Sequence, residues 1–199
     1  IIACYSGPMD AGEKVVRPLR EFGPPLADHI APISYIQAQG MLDAAFPPGR
    51  RNYIKTNFFN SLDDDAIGTM VDRFRRVPSP YSMLALFQLG GAAGRVGKDE
   101  TAFYHRDAGY HMFLASIWED AASDVENIRW VRETWDAIRP FAANGVYVNE
   151  MGDERESEAR IREAYGPTTY QRLVALKNKY DPTNFFRLNP NIKPTGRQR

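Results

Sequence analysis

The hydrophobic pattern of this chain changes period repeatedly, between two residues and 3.6, and that alternation constrains its fold more than any other feature. Strand-like runs occupy 1–5, 51–62, 81–89, part of 101–118, and 146–149. Helical spacing occupies 10–22, 33–42, 63–74, 123–138, 152–165, and a last stretch ending near Tyr180. No linker and no internal repeat interrupts the alternation. The expectation is one α+β domain over 1–199, a mainly antiparallel sheet with helices packed on one side.

Local chemistry supports these boundaries. Asp63-Asp64-Asp65 suits a helix start, because carboxylates favour the positive end of the helix dipole. Three consecutive carboxylates point in different directions on a helix, so they make no metal site. Pro18 should kink or shorten the first helix. Ser123 and Glu126 have the spacing of a capping box, before a helix with Val125, Ile128, Val131, Trp135 and Ile138 inward. Asn144-Gly145 signals a turn, and Gly166-Pro167 separates the last two helices. In the strand 51–62, Tyr53, Lys55 and Asn57 share a face. That face is either the wetter side of the sheet or a cavity wall. The apolar residues of 101–118 occupy both faces, which marks a central strand covered on both sides. The glycine-rich stretch 90–98 lacks either phosphate-binding pattern and reads as a mobile hairpin loop.

Composition excludes several classes of function. Lys plus Arg and Asp plus Glu number 25 each, so the net charge is zero and a nucleic-acid partner is disfavoured. No apolar run approaches the about 20 residues needed to span a bilayer. The lone Cys4 cannot form an internal disulfide, and a cytoplasmic setting is favoured. His105 and His111 share a strand face but would lie ~20 Å apart in an extended strand, too far to bind one metal. No metal is expected.

The most informative stretch lies near the end: Lys179-Tyr180-Asp181-Pro182-Thr183-Asn184-Phe185-Phe186-Arg187-Leu188-Asn189-Pro190-Asn191-Ile192. A helix must stop before Pro182, because the residue preceding proline is pushed out of the helical region. Phe185, Phe186 and Leu188 are apolar enough to expect docking on the domain. Asn189 and Asn191 flank a stiff proline and would face one partner with two carboxamides, unless they cap local backbone instead. With Tyr147-Val148-Asn149 upstream, this stretch resembles the C-terminal signature of the berberine-bridge-enzyme-like FAD-linked oxidases, in the vanillyl-alcohol-oxidase superfamily. Ala164-Tyr165-Gly166, 173–177 and Tyr104-His105-Arg106 resemble the same family.

The resemblance implies an FAD-dependent oxidoreductase that oxidises an alcohol, sugar or related small molecule by hydride transfer to flavin. This chain would be its substrate domain. An N-terminal FAD-binding domain of the same polypeptide would carry most of the cofactor contacts, and the isolated chain would be inactive. Tyr147, Asn149, Asn189 and Asn191 become the flavin-side candidates. Where many members carry a second tyrosine after the Y-x-N element, this chain has Glu150. Glu150 is a candidate base or the member of a salt link; Tyr147 and His105 are the other catalytic candidates. A different class remains as the alternative: a stand-alone binding or assembly module that kept the scaffold without flavin chemistry.

Overall fold

The computed structural model describes residues 2–143, 145–151, 158–188 and 190–196. Backbone contacts divide the chain into two compact units, Ile1–Pro47 and Pro48–Arg199, where the sequence suggests a single domain.

The first unit is helical. Helix α1, Met9–Arg20, runs through Pro18, and α2 spans Tyr35–Gly40. Ser34 and Gln37 form a reciprocal capping box at the start of α2. Arg20 organises the unit: its guanidinium meets Glu13 at 2.7 Å and Asp28 at 2.9 Å, and donates to the Ile30 carbonyl at 2.7 Å. Residues 2–5 form no strand, contrary to expectation; Ile2 is exposed, and no neighbouring strand pairs with it.

The second unit holds the sheet. Strands β1 (Arg51–Phe59), β2 (Met83–Gln88) and β3 (Tyr110–Trp118) pair antiparallel in the order β1-β3-β2. The expected central strand is therefore β3, with Phe58 opposite His111 and Phe87 opposite the same residue on the other side. The remaining helices are α3 (Asp64–Phe74), the single-turn α4 (Gly91–Gly94), α5 (Asp124–Ile138), α6 (Glu158–Tyr165) and α7 (Pro167–Tyr180). The glycine-rich connection thus contains a helical turn rather than open loop. No helix among the described residues is long and apolar enough to cross a membrane.

Side chains alternate across the sheet, and the two faces meet different neighbours. Phe59, Met112 and Leu114 face α3 and α5, where they pack with Met70, Trp130, Val131 and Ile138. Tyr53 packs against this cluster, and Asn57 is 4% exposed, so the polar series of β1 lies under the helices rather than on a wet face. The buried face of α5 is Asn127, Trp130, Val131, Thr134 and Ile138. It is turned from the expected one, and Val125 is exposed. The cause is polar. Ser116 Oγ donates to Asn127 Oδ1 at 2.7 Å, and Asn127 Nδ2 donates to the Ser123 carbonyl at 2.8 Å, which ties β3 to the start of α5. Ser123 makes no side-chain cap. Asp124 instead accepts from Trp118 Nε1 at 2.8 Å and pairs with Arg51. At α3 the expected start holds: Asp63 Oδ1 accepts from the Ala66 amide at 2.7 Å.

The end of the chain obeys its local chemistry only in part. Helix α7 stops at Asp181, whose carboxylate accepts from the amides of Phe185 and Phe186 and pairs with Lys177. Those contacts hold the carboxyl below its ordinary range, the Lys177 hydrogen bond foremost. Asn178 then exchanges two hydrogen bonds with Thr195, at 2.7 and 2.8 Å, so the tail returns along α7. Phe185, Phe186 and Leu188, expected to dock, are instead 78%, 76% and 86% exposed.

Candidate active site

The sheet face opposite α5 carries the candidate site. The backbone brings the remote segment there: the Ala143 amide donates to the Phe58 carbonyl at 2.7 Å in an isolated bridge. Residues 145–150 follow immediately. They are not the expected strand; 148–150 form a 3₁₀ turn with Tyr147 at its start. That turn places three expected residues together. Asn149 Nδ2 donates to the Tyr147 hydroxyl at 2.8 Å, and Glu150 points back at the sheet.

The group that Glu150 meets is His111, to which the sequence assigned no role. His111 Nε2 lies 2.9 Å from Glu150 Oε2. The pair is at ion-pair distance without hydrogen-bond alignment, and neither atom bonds elsewhere among the described residues. The imidazole is held by rings: Phe58 at 5.1 Å, Phe87 stacked at 5.7 Å, and Tyr147 edge-on at 5.6 Å. Such pairs are worth ~0.5–1.5 kcal/mol each, so the ring is firmly placed. A histidine near the start of a mostly apolar central strand is the signal the sequence carries.

His105 sits nearby but plays a different part. It precedes β3 in a loop, so the ~20 Å strand separation does not apply. Both histidines touch Phe58, His105 stacking on it at 4.5 Å. His105 is 9% exposed and its Nε2 has no hydrogen-bond partner. Burial pushes its imidazolium below the ordinary histidine range, partly offset by Glu163 and Asp107. A cavity of about 400 Å³ lies beside it, lined by Lys98, Tyr104, Asp107 and Glu163 among others. Gly145, at φ +135°, passes so close that a Cβ would stand 2.3 Å from the His105 ring. His105 is thus packed under the segment that delivers Tyr147, rather than joined to the Glu150 pair. Among the described residues no group of His, Cys, Asp and Glu is arranged to hold a metal ion.

The remaining candidates divide. Asn191 is half-buried in the tail that Asn178 anchors. Asn189 lies outside the described residues. A larger cavity, about 980 Å³, is lined by Tyr170, Asn184 and Lys193 at the tail, and by none of the Glu150 cluster.

Residues 146–193, which carry Tyr147, Glu150 and the returning tail, match the family described as berberine and berberine like. The chain belongs to the berberine-bridge-enzyme-like FAD-linked oxidoreductases. It is 30% identical to an FAD-linked oxidoreductase of Dictyostelium discoideum, over 98% of this chain and 42% of that protein. It is 28% identical to berberine bridge enzyme-like C-1 of Nicotiana tabacum, over 74% of this chain and 30% of that protein. The fold is that of berberine-bridge-like 1 from Physcomitrella patens, with a TM-score of 0.74 at 20% identity over 96% of this chain and 43% of that one. It is equally that of 6-hydroxy-D-nicotine oxidase from Arthrobacter nicotinovorans, with a TM-score of 0.73 at 22% identity over 94% and 42%. The chain therefore spans less than half the length of these berberine-bridge-like relatives.

Proposed function

We infer that this chain supplies the substrate side of an FAD-dependent oxidoreductase site that oxidises an alcohol, sugar or related small molecule. The observation that carries the reading is that Tyr147, Asn149 and Glu150, all in the segment that matches the family, converge with His111 of β3 on one aromatic sheet face. The N-terminal FAD-binding domain of the same polypeptide is the inferred partner.

The residues present suit a flavin ring. An isoalloxazine is flat and aromatic with polar edges; this face offers the half-exposed Phe87 ring, Tyr147, and an exposed Asn149 carboxamide. When bound, the flavin accepts the hydride from the substrate carbon. Glu150 takes the hydroxyl proton, so that the carbon–oxygen bond becomes a carbonyl. Glu150 is partly buried, at 21% side-chain exposure, which keeps it within reach of a small molecule on the face while limiting water. Asn149 donates to the Tyr147 hydroxyl, leaving that hydroxyl free to donate its own proton to a substrate oxygen. One wall of a pocket buries too little of a cofactor, so the isolated chain is expected to bind FAD weakly or not at all.

The deciding experiment is rapid-mixing flavin reduction in the full-length polypeptide carrying Glu150→Gln. A positioned base contributes ~10²–10⁴ in rate, so reduction should slow at least about tenfold while flavin stays bound. Unchanged reduction would remove Glu150 from the chemistry.

A further inference from the structure

We propose that His111 is the positioning residue for Glu150: it holds Oε2 of the carboxylate and leaves Oε1 to face the substrate. The inference deepens the reading of Glu150 as base and rests on it. The two residues approach to 2.9 Å, and neither paired atom has another hydrogen-bond partner among the described residues. They differ in how firmly each is held. His111 is 7% exposed, lies in the middle strand of the sheet, and is walled by Phe58, Phe87 and Tyr147. Glu150 ends a three-residue 3₁₀ turn and is the more exposed of the two. Of a fixed ring and a carboxylate on a short turn, the ring sets where the carboxylate stands. The contact is close but misaligned, which is common for catalytic hydrogen bonds before substrate is bound. A hydrogen bond from Nε2 to Oε2 would also fix where Oε1 points.

This separates two roles. Glu150 touches the substrate; His111 acts only through Glu150. Removing His111 should therefore matter only while Glu150 is present to be placed.

The test uses the full-length polypeptide with two readouts. The first is the ¹⁵N resonance of His111 Nε2, which reports its carboxylate neighbour independently of turnover. It should move on Glu150→Gln; an unmoved resonance overturns the pairing whatever the rates do. The second is flavin reduction in a mutant cycle. His111→Phe should slow reduction about tenfold or more in the otherwise native protein with little change in substrate affinity. It should slow reduction less than about twofold in the Glu150→Gln background. His111→Gln, which keeps an amide donor in the same place, should recover part of the loss and serves also if the phenylalanine variant fails to fold. Equal losses in both backgrounds would show a merely structural histidine and overturn the proposal. If Glu150→Gln leaves reduction unchanged, the base reading fails first, and the resonance still decides whether the two side chains are paired.

Discussion

The two faces of the three-stranded sheet are made by alternate residues of the same strands, yet they do different work. Phe59 and Phe58 are neighbours, both almost fully buried. Phe59 packs with Met70, Leu114, Val131 and Ile138 beneath two helices. Phe58 stacks on His105, meets His111 at a tilt, and borders a segment that brings in a tyrosine and a glutamate. The helix face buries apolar volume. The other face buries titratable groups among rings, and there His105, His111 and Glu150 keep polar atoms without hydrogen bonds. The helix face also buries polar atoms unpaired among the described residues, Asn57 Nδ2 and Thr134 Oγ1, so what sets the other face apart is that its unpaired groups are titratable and walled by rings.

Three measurements would break or sharpen that contrast. The largest effect belongs to the helix face. Phe59→Ala should destabilise the fold by about 3–5 kcal/mol, read as a lower urea midpoint for this chain. A loss below about 1 kcal/mol would mean the helix face is not the stabilising one. Next comes the close approach on the other face. Gly145→Ala adds a Cβ at φ +135°, against the His105 ring, and should cost ~1–3 kcal/mol with a shift of the His105 ring resonances. A neutral substitution would show that the segment carrying Tyr147 is not held against His105.

The smallest effect is a pH dependence confined to the histidine face. Burial makes His105 harder to protonate in the folded state, while the unfolded chain takes up a proton near the ordinary value of about 6.5. The unfolded state thus binds more protons below that pH, so the contribution is complete above about 6.5 and falls as pH drops through it. Urea midpoints between about pH 7.5 and 5 should decline more steeply in the native chain than in His105→Gln. Parallel declines would locate the dependence elsewhere.

Much of this is legible locally. Asp63 accepts from an amide three residues on, and that needs no distant partner. The halt of α7 at Asp181 and the break at Gly166, with φ +70°, likewise follow from a few adjacent residues. Local sequence misleads where a polar group finds its partner far along the chain. The expected capping box at Ser123 is absent, because Asp124 is engaged by Arg51 and Trp118, and Asn127 answers Ser116 across the sheet. The apolar pattern of α5 points to Val125, but that network turns Asn127 and Thr134 inward. The stretch 146–149 looks like a strand by composition, yet the only backbone link to the sheet there among the described residues is the Phe58–Ala143 bridge, and the chain turns instead.

The candidate site divides the same way. The sequence by itself determined that Tyr147, Asn149 and Glu150 would stay together, because they lie within four residues, and its family pattern marked them as the place to look. It also determined the α+β class, since hydrophobic period follows the geometry of each element. Only the tertiary structure decided that His111 would meet Glu150. The two stand thirty-nine positions apart, and their contact depends on three things no short window contains: the pairing of β1 with β3, the bridge from Phe58 to Ala143, and a turn where a strand was expected. Sequence specifies short-range backbone preferences; the meeting of remote side chains follows from sheet register, in which a slip of one residue would send His111 to the opposite face.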